Sequence, residues 1–341
     1  MMAILITGGA GFIGSHFVRR MVKHSHVVVL DKLTYAGNLE NLRDIREDRE
    51  LSGYFKFYKG DICNQELVDH VMSTEKIDVI VNFAAETHVD RSILSAGTFI
   101  DTDIKGVFVL LEASRRYTIK KFIQISTDEV YGTAFHDAFK ETDSLNPSNP
   151  YAASKAGGDR LAFAYWNTYK LPIIITRASN NYGPYQHPEK FIPLFITNAI
   201  EGLKLPLYGD GRQERDWIHV EDHCAAIDFI IENGKEGEVY NIGGGNEKQN
   251  IDTALFILSV LAKDKGMIES VKDREGHDRR YALDCTKLKS LGWKPQIDFE
   301  EGLRDTIKWY EENEQWWKQI KNGEFMKYYE IQYNHRFAGK N

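Results

Sequence analysis

The sequence predicts an α/β protein built on a doubly wound parallel sheet, with a smaller C-terminal α/β lobe. Three observations carry that expectation. Short, continuous apolar runs of strand length alternate with helical patterns through the N-terminal half, as in a parallel sheet covered on both faces. A glycine-rich turn, residues 8–14, stands between the first such run and the first helical pattern. The alternation then fades beyond residue 178, and 341 residues are more than one core usually organises. The expected division is residues 1–178 for the sheet and 179–341 for the lobe with its C-terminal helices. A strand near 237–243 can rejoin the sheet.

Ala3-Ile4-Leu5-Ile6-Thr7 is the first strand, and a helical pattern through Phe17, Val18, Met21 and Val22 follows Gly8-Gly9-Ala10-Gly11-Phe12-Ile13-Gly14. This strand, glycine turn and helix form the context of a Rossmann-type dinucleotide site. Gly8 permits the tight turn, Gly11 lets backbone approach a pyrophosphate, and Gly14 lets helix pack on strand. The helix N-terminus then faces the phosphates with its partial positive charge. The second strand, residues 27–30, ends in Asp31. A carboxylate there accepts from a ribose 2′-hydroxyl and repels a 2′-phosphate, so NAD is expected over NADP, although the adjacent Lys32 works against that preference. Residues 55–62 read as the next strand, with Asp61 either meeting an adenine amine or serving as a cap or turn acid. Residues 79–85 are a fourth strand whose small Ala84 and Ala85 leave room for a cofactor. Residues 86–92 are too polar for a core, and a lone His88 there is usually structural.

Phe122, Ile123 and Ile125 read as a buried strand that brings Thr127, Asp128 and Glu129 to its carboxyl end, where ligands sit in open parallel sheets. Tyr151 and Lys155 lie four apart among good helix formers, so they share one helical face. A phenol beside a fixed ammonium has its anion stabilised, which brings a group with an unperturbed pKa of about 10 closer to neutrality as a base. Taken alone, the Tyr-x-x-x-Lys spacing also arises by chance, and two adjacent acids also occur as a solvated, capped turn. The helix is expected to run to about residue 169 and the next strand over 172–176. Gly209-Asp210-Gly211 is a turn, Asp222 a plausible helix cap, and residues 239–242 one more strand. The tail from 300 to about 328 reads as helical, with Trp309, Tyr310, Trp316 and Trp317 there for packing.

Composition excludes other classes. The 43 Lys plus Arg against 50 Asp plus Glu give a net charge of -7, which advertises neither nucleic acid nor an anionic membrane as partner. Cys63, Cys224 and Cys285 are odd in number and lack C-x-x-C spacing, so reduced thiols in a cytosol are expected rather than disulfides or a metal site. No apolar run approaches a membrane span, and the chain opens directly on a strand.

Through Gly8-x-x-Gly11-x-x-Gly14, Asp31 and Tyr151-x-x-x-Lys155 the chain resembles the extended short-chain dehydrogenase/reductase family. Residues 84–92, 127–132, 180–185 with 188–190, and 276–281 make it similar to that family's nucleotide-sugar 4,6-dehydratases, almost from end to end. The Asp128-Glu129 pair is the most discriminating block, because sugar-nucleotide C4-epimerases share the cofactor apparatus but lack it. The resemblance implies a lyase acting on dTDP-glucose, in which NAD is restored in every turnover. Glu129 is then the base at C5 of the hexose, Asp128 the acid for the departing C6 hydroxyl, and Thr127 the partner of the C4 oxygen, with Tyr151 and Lys155 completing the catalytic set.

The resemblance further implies cofactor contacts at Phe12, Ile13, Lys32, Thr34, Asp61, Ile62, Phe83, Thr87, Thr102 and Asn181. Nucleotide-sugar contacts are implied at Thr87, Asn180, Lys190, Phe191, Pro206, Tyr208, Arg215, Asn250 and Asp273, with His277 towards the nucleoside. Arg215 suits bidentate phosphate binding, with a surface salt bridge to Glu214 or Asp216 as the alternative. A cytoplasmic homodimer is implied, pairing helices at about 98–117 and 151–169. Other nucleotide-sugar dehydratases, a C4-epimerase and a non-catalytic NAD-sensing scaffold are the alternatives; the last sits badly with an intact Thr, Asp, Glu, Tyr and Lys set. The chain departs from the family pattern at Ala152, at the poor helix pair Gly157-Gly158, and in the short 132–150 segment that borders the sugar site.

Overall fold

The computed structural model describes residues 2–338. The first six strands are β1 (Ala3–Thr7), β2 (His26–Asp31), β3 (Phe55–Lys59), β4 (Val79–Asn82), β5 (Lys121–Thr127) and β6 (Ile173–Ala178). Beyond them come β7 (Asn180–Tyr182), β8 (Leu205–Tyr208), β9 (Glu214–His219), β10 (Val239–Ile242), β11 (Glu247–Gln249) and β12 (Ile268–Val271). Among the described residues, seven strands form one sheet in the order β10-β6-β5-β4-β1-β2-β3, every pair parallel. The order reverses between β1 and β4, and a crevice opens at such a switch point beyond the carboxyl ends of the strands. The register Thr7↔Asn82 sets those two ends side by side.

The central strands are largely apolar because both faces are covered, whereas the edge strand β3, with Lys56 and Lys59, is only partly buried. On one face, Phe17, Val18 and Met21 of the helix Phe12–Met21 join Ile227 and Ile230 of the helix Val220–Asn233. On the other lie Val68 and Val71 of Gln65–Glu75, Leu110 and Leu111 of Val107–Tyr117, and Ala162 of Pro150–Tyr169. The chain thus crosses back after residue 178: residues 220–242 pack on the large sheet, with β10 hydrogen-bonded to β6. A third core gathers Phe195, Leu205, Ile257, Leu303, Tyr310 and Trp317 around the small sheets β11-β9-β7 and β12-β8.

Several expectations need correction. The strand read over 55–62 ends at Lys59, so Asp61 lies in the turn beyond it. Asp222 is not the cap of its helix. His219 caps it, and an Asp222 oxygen instead accepts from the backbone N–H groups of Gln296 and Ile297 at 3.0 and 2.9 Å. The tail comprises three helices, Phe299–Glu312, Glu314–Ile320 and Glu324–Ala338, broken at Asn313 and at Gly323 with φ +48°.

The pair Gly157-Gly158 has a packing cause. The helical run from residue 97 to 117 contains a π-helical turn at Asp101–Gly106, which presses against the helix Pro150–Tyr169. A Cβ on Gly158 would stand 2.3 Å from the Asp103 carbonyl oxygen, whereas one on Gly157 would meet the end of the Ile104 side chain at 2.8 Å. Gly158→Ala is therefore expected to cost about 1–3 kcal/mol in denaturant unfolding despite alanine's better helix propensity. Gly157→Ala should cost less, because a side-chain end can move and backbone cannot.

Candidate active site

The cofactor end of the crevice follows from the glycine turn. Gly8 has φ +66°, and a Cβ there would lie 2.7 Å from the Ala84 nitrogen; a Cβ on Gly14 would lie 2.3 Å from the Gly8 carbonyl oxygen. Gly11 caps the helix Phe12–Met21 without a side-chain acceptor, and the first turn carries no acidic residue. The leading N–H groups are thus left for an anion. Asp31 at the end of β2 accepts from Ala10 N at 2.9 Å and Leu33 N at 2.8 Å, and its burial raises the carboxyl pKa. Lys32 is drawn away to Asp61 at 2.7 Å, so it does not neutralise Asp31. Asp61 also accepts from Cys63 N at 2.9 Å, as a turn acid does, and lines the dinucleotide end of the crevice, while Asn64 caps the helix that follows. These residues fit a dinucleotide: a cradle shaped by absent side chains, with an acid at the second strand end.

At the end of β5, Thr127 Oγ1 accepts from Glu129 N at 3.3 Å and so caps the short turn Asp128–Tyr131. That cap turns both acids into the crevice. Asp128 is buried, one oxygen accepting from Thr127 Oγ1 at 3.1 Å and the other having no partner among the described residues. Burial, then the neighbouring Glu129 charge, pushes its pKa well above the usual carboxylate range. Glu129 accepts from the Tyr281 hydroxyl at 3.2 Å, and that hydroxyl lies 2.8 Å from Asp278. Gly132, with φ +80°, ends the turn beneath Asn146. The short 132–150 segment is stitched to residues 278–282 through Thr133 Oγ1 on Asp278 at 2.6 Å and Phe139 N on the Ala282 carbonyl at 2.9 Å. One wall of the crevice is thereby fixed.

Asn149 caps the helix Pro150–Tyr169 by accepting from Ala152 N, with Pro150 in its first turn. Lys155 Nζ donates to the Ile125 carbonyl at 2.7 Å and ties this helix to β5. The surroundings of Tyr151 act against the expected lowering of its pKa by Lys155. Burial, then the Glu129 and Asp103 carboxylates, pushes the phenol well up, opposed by a hydrogen bond with Thr127. Burial likewise lowers the Lys155 pKa.

One cavity of about 410 Å³ joins these parts. Its lining includes all five of Thr127, Asp128, Glu129, Tyr151 and Lys155. Gly8, Gly11, Phe12, Ile13 and Gly14 line one end with Asp31, Lys32, Thr34, Asp61 and Ile62, followed by Phe83, Ala84, Ala85, Thr87, Thr102 and Asn181. The other end is lined by Asn180, Lys190, Phe191, Pro206, Tyr208, Arg215, Asn250 and His277. Arg215 makes neither suggested salt bridge; it donates to the Glu214 and Asp278 carbonyls at 2.8 and 2.9 Å and lies over the Tyr281 ring. Asp273, expected at the nucleotide sugar, is not among the lining residues and holds His277 Nδ1 at 2.6 Å. Its neighbour Arg274 lines the cavity instead, its buried Nε without a partner among the described residues. Asn180 Oδ1 and Asn250 Oδ1 are buried in the same unpartnered state.

Sequence reasoning assigned no site role to Arg274, Tyr281, His223 or Tyr333, all of which line the cavity. Of these four, only Tyr281 lies in a block that carries the family resemblance, residues 276–281. Among the described residues no group of three His, Cys, Asp or Glu side chains is arranged to hold a metal ion, and no helix is long and apolar enough to cross a membrane.

Comparison with known proteins gives consistent results. The GDP-mannose 4,6 dehydratase family matches residues 5–306. The chain is 49% identical over 329 residues to a dTDP-glucose 4,6-dehydratase of Streptomyces niveus, covering 94% of this chain and 96% of that protein. It resembles the crystal structure of a Bacillus anthracis dTDP-glucose 4,6-dehydratase in complex with NAD, at 50% identity and a TM-score of 0.87, covering 94% of this chain and all of the other. A Streptomyces venezuelae dTDP-glucose 4,6-dehydratase with NAD and TYD bound matches at 46% identity and a TM-score of 0.91, with 94% of this chain covered and 100% of that one.

Proposed function

The chain belongs to the GDP-mannose 4,6 dehydratase family, among the extended short-chain dehydrogenase/reductases, and from that premise we propose that it converts dTDP-glucose to dTDP-4-keto-6-deoxyglucose. It is an NAD-dependent hydro-lyase. Bound NAD would accept a hydride from C4 of the hexose and return it to C6, so turnover consumes no cofactor. The observation that carries this reading is the pair of buried acids at the end of β5, with Asp128 pushed up by burial and by its neighbour Glu129, in one cavity with Tyr151 and Lys155.

In our reading Tyr151, as its phenolate, takes the proton of the C4 hydroxyl while the hydride leaves C4. Its hydrogen bond with Thr127 works against the burial that holds the phenol protonated. A ketone at C4 acidifies the C5 proton, which Glu129 removes as the Tyr281 hydroxyl orients its carboxylate; Glu129 gives a solvent-exchanged proton back to C5 when the hydride arrives at C6. Asp128 carries its proton on the oxygen without a partner and delivers it to the C6 hydroxyl, which leaves as water. Lys190, Arg215 and Arg274 offset the charge of the diphosphate.

We assign NAD to residues 1–178 together with β10, and the nucleotide sugar chiefly to 179–341. Ile100 and Phe108 on one helical run, 54% and 46% exposed, with Phe163 and Tyr169 on another, support a homodimer that pairs these faces. Three free cysteines support the cytoplasm.

The test is to incubate the protein separately with dTDP-glucose, UDP-glucose and GDP-mannose. A 4-keto-6-deoxy product from dTDP-glucose, formed without net reduction of NAD, is expected. A C4-epimer, or NAD binding with no turnover of any of the three, contradicts the reading.

A further inference from the structure

The loop after β2 is fastened from both sides. At its start Leu33 N donates to Asp31, and Leu33 holds φ +55°. Towards its end, Asn38 N and Asn41 Nδ2 both donate to the Ala10 carbonyl of the glycine turn at 3.0 Å. The inner side of the loop, through Thr34, Ala36 and Gly37, faces the dinucleotide end of the crevice. Its outer side meets the C-terminal helices across a second cavity of about 390 Å³.

Two contacts from those helices close on the loop. Trp316 of Glu314–Ile320 donates its indole N–H to Asn41 Oδ1 at 3.0 Å, and Asn41 is the residue whose amide holds the glycine turn. The Arg91 guanidinium lies between two rings, 3.9 Å from the centroid of Tyr35 in the loop and 4.1 Å from that of Tyr328 in Glu324–Ala338. Arg91 Nε donates to buried Glu189 at 3.1 Å, which fixes the plane of the sandwich. Neither Trp316 nor Tyr328 lines the catalytic cavity. Packing alone would use the faces of these rings; a donor aimed at the loop's own amide and a cation shared between two rings specify where the loop sits.

We propose that Trp316 and Tyr328 are positioning residues that latch the 33–41 loop over the dinucleotide, so that NAD stays bound from one turnover to the next. The latch rests on the dinucleotide reading given above. An enzyme that lends a hydride and takes it back gains from slow release, because loss of the reduced cofactor in mid-cycle strands the oxidised sugar.

The latch is tested by exchange without nucleotide sugar. NAD-loaded protein, freed of unbound cofactor by gel filtration, is challenged with excess isotopically labelled NAD, and the bound label is followed. Trp316→Phe, which keeps the ring but removes the donor, and Tyr328→Leu, which opens the sandwich, are each expected to speed exchange on the order of tenfold. Turnover at saturating NAD and the melting temperature of the NAD-saturated protein should stay at wild-type values. Exchange within twofold of wild type in both variants overturns the latch, and so does a parallel fall in saturated turnover. A protein that shows the expected exchange but dehydrates no nucleotide sugar sinks the proposed function and leaves the latch standing.

Discussion

Glu129→Gln is expected to lower turnover by roughly 10²–10⁴ while leaving nucleotide-sugar binding and the first oxidation in place. The amide keeps the shape of the side chain and can still accept from the Tyr281 hydroxyl, 3.2 Å away in the native site, but it cannot take the C5 proton. Two readouts separate this role from a structural one. Solvent deuterium should no longer enter at C5, and the absorbance of reduced nicotinamide should persist after mixing with dTDP-glucose instead of decaying. Full activity in the variant would remove Glu129 from its assigned role. A folded variant that neither binds nor oxidises the substrate would recast it as a binding residue.

Asp128→Asn has two expected effects of opposite sign. Without a proton to give, the variant should lose a further large part of its turnover, within the same roughly 10²–10⁴ range, and should recover more of it on substrates with a better leaving group at C6. At the same time the ligand-free protein should become more stable at neutral pH. The sign follows from linkage. In the unfolded chain an aspartate ionises near ~3.9, whereas in the folded protein burial and the Glu129 charge raise the pKa of Asp128. Below the unfolded value both states hold the proton and no penalty exists. As pH rises through the window up to the raised folded pKa, folding either takes up a proton or buries a charge, and stability falls. The melting temperature of Asp128→Asn should therefore exceed that of wild type at pH 7 and converge on it near pH 3. A lower melting temperature at pH 7 would mean that the carboxylate is ionised and held by favourable contacts.

The parts of this site that could be read from sequence are those with a local signal. The glycine turn and Asp31 announce themselves through strand, turn and helix chemistry within a few tens of residues, and Tyr151 and Lys155 through helical spacing. Asp128 and Glu129 gained meaning from the blocks around them. What could not be read depends on contacts between distant segments. Tyr281 reaches Glu129 across 152 residues, and the loop that presents it has no periodicity to follow. The same loop offers Asp273 and Arg274 side by side, and sequence cannot say which one faces inward; the cavity takes the arginine, and the aspartate turns to His277. The surroundings of the phenol escape the sequence for a related reason. Its expected shift considered one ammonium four residues away, while burial and carboxylates from two other elements dominate. Gly157-Gly158 reads as a weakness of its helix, but the π-helical turn at Asp101–Gly106 needs that space.

The central claim is that one hydride leaves C4 and returns to C6 of the same sugar, with the C5 proton and the C6 hydroxyl handled by Glu129 and Asp128. It is tested most directly with dTDP-glucose carrying deuterium at C4, mixed with an equal amount of unlabelled, ¹³C-marked substrate. The account predicts a product with deuterium at C6 only in molecules that began with it at C4, and one solvent-derived hydrogen at C5. Deuterium scrambled into the ¹³C-marked product, lost to solvent, or retained at C4 would contradict it.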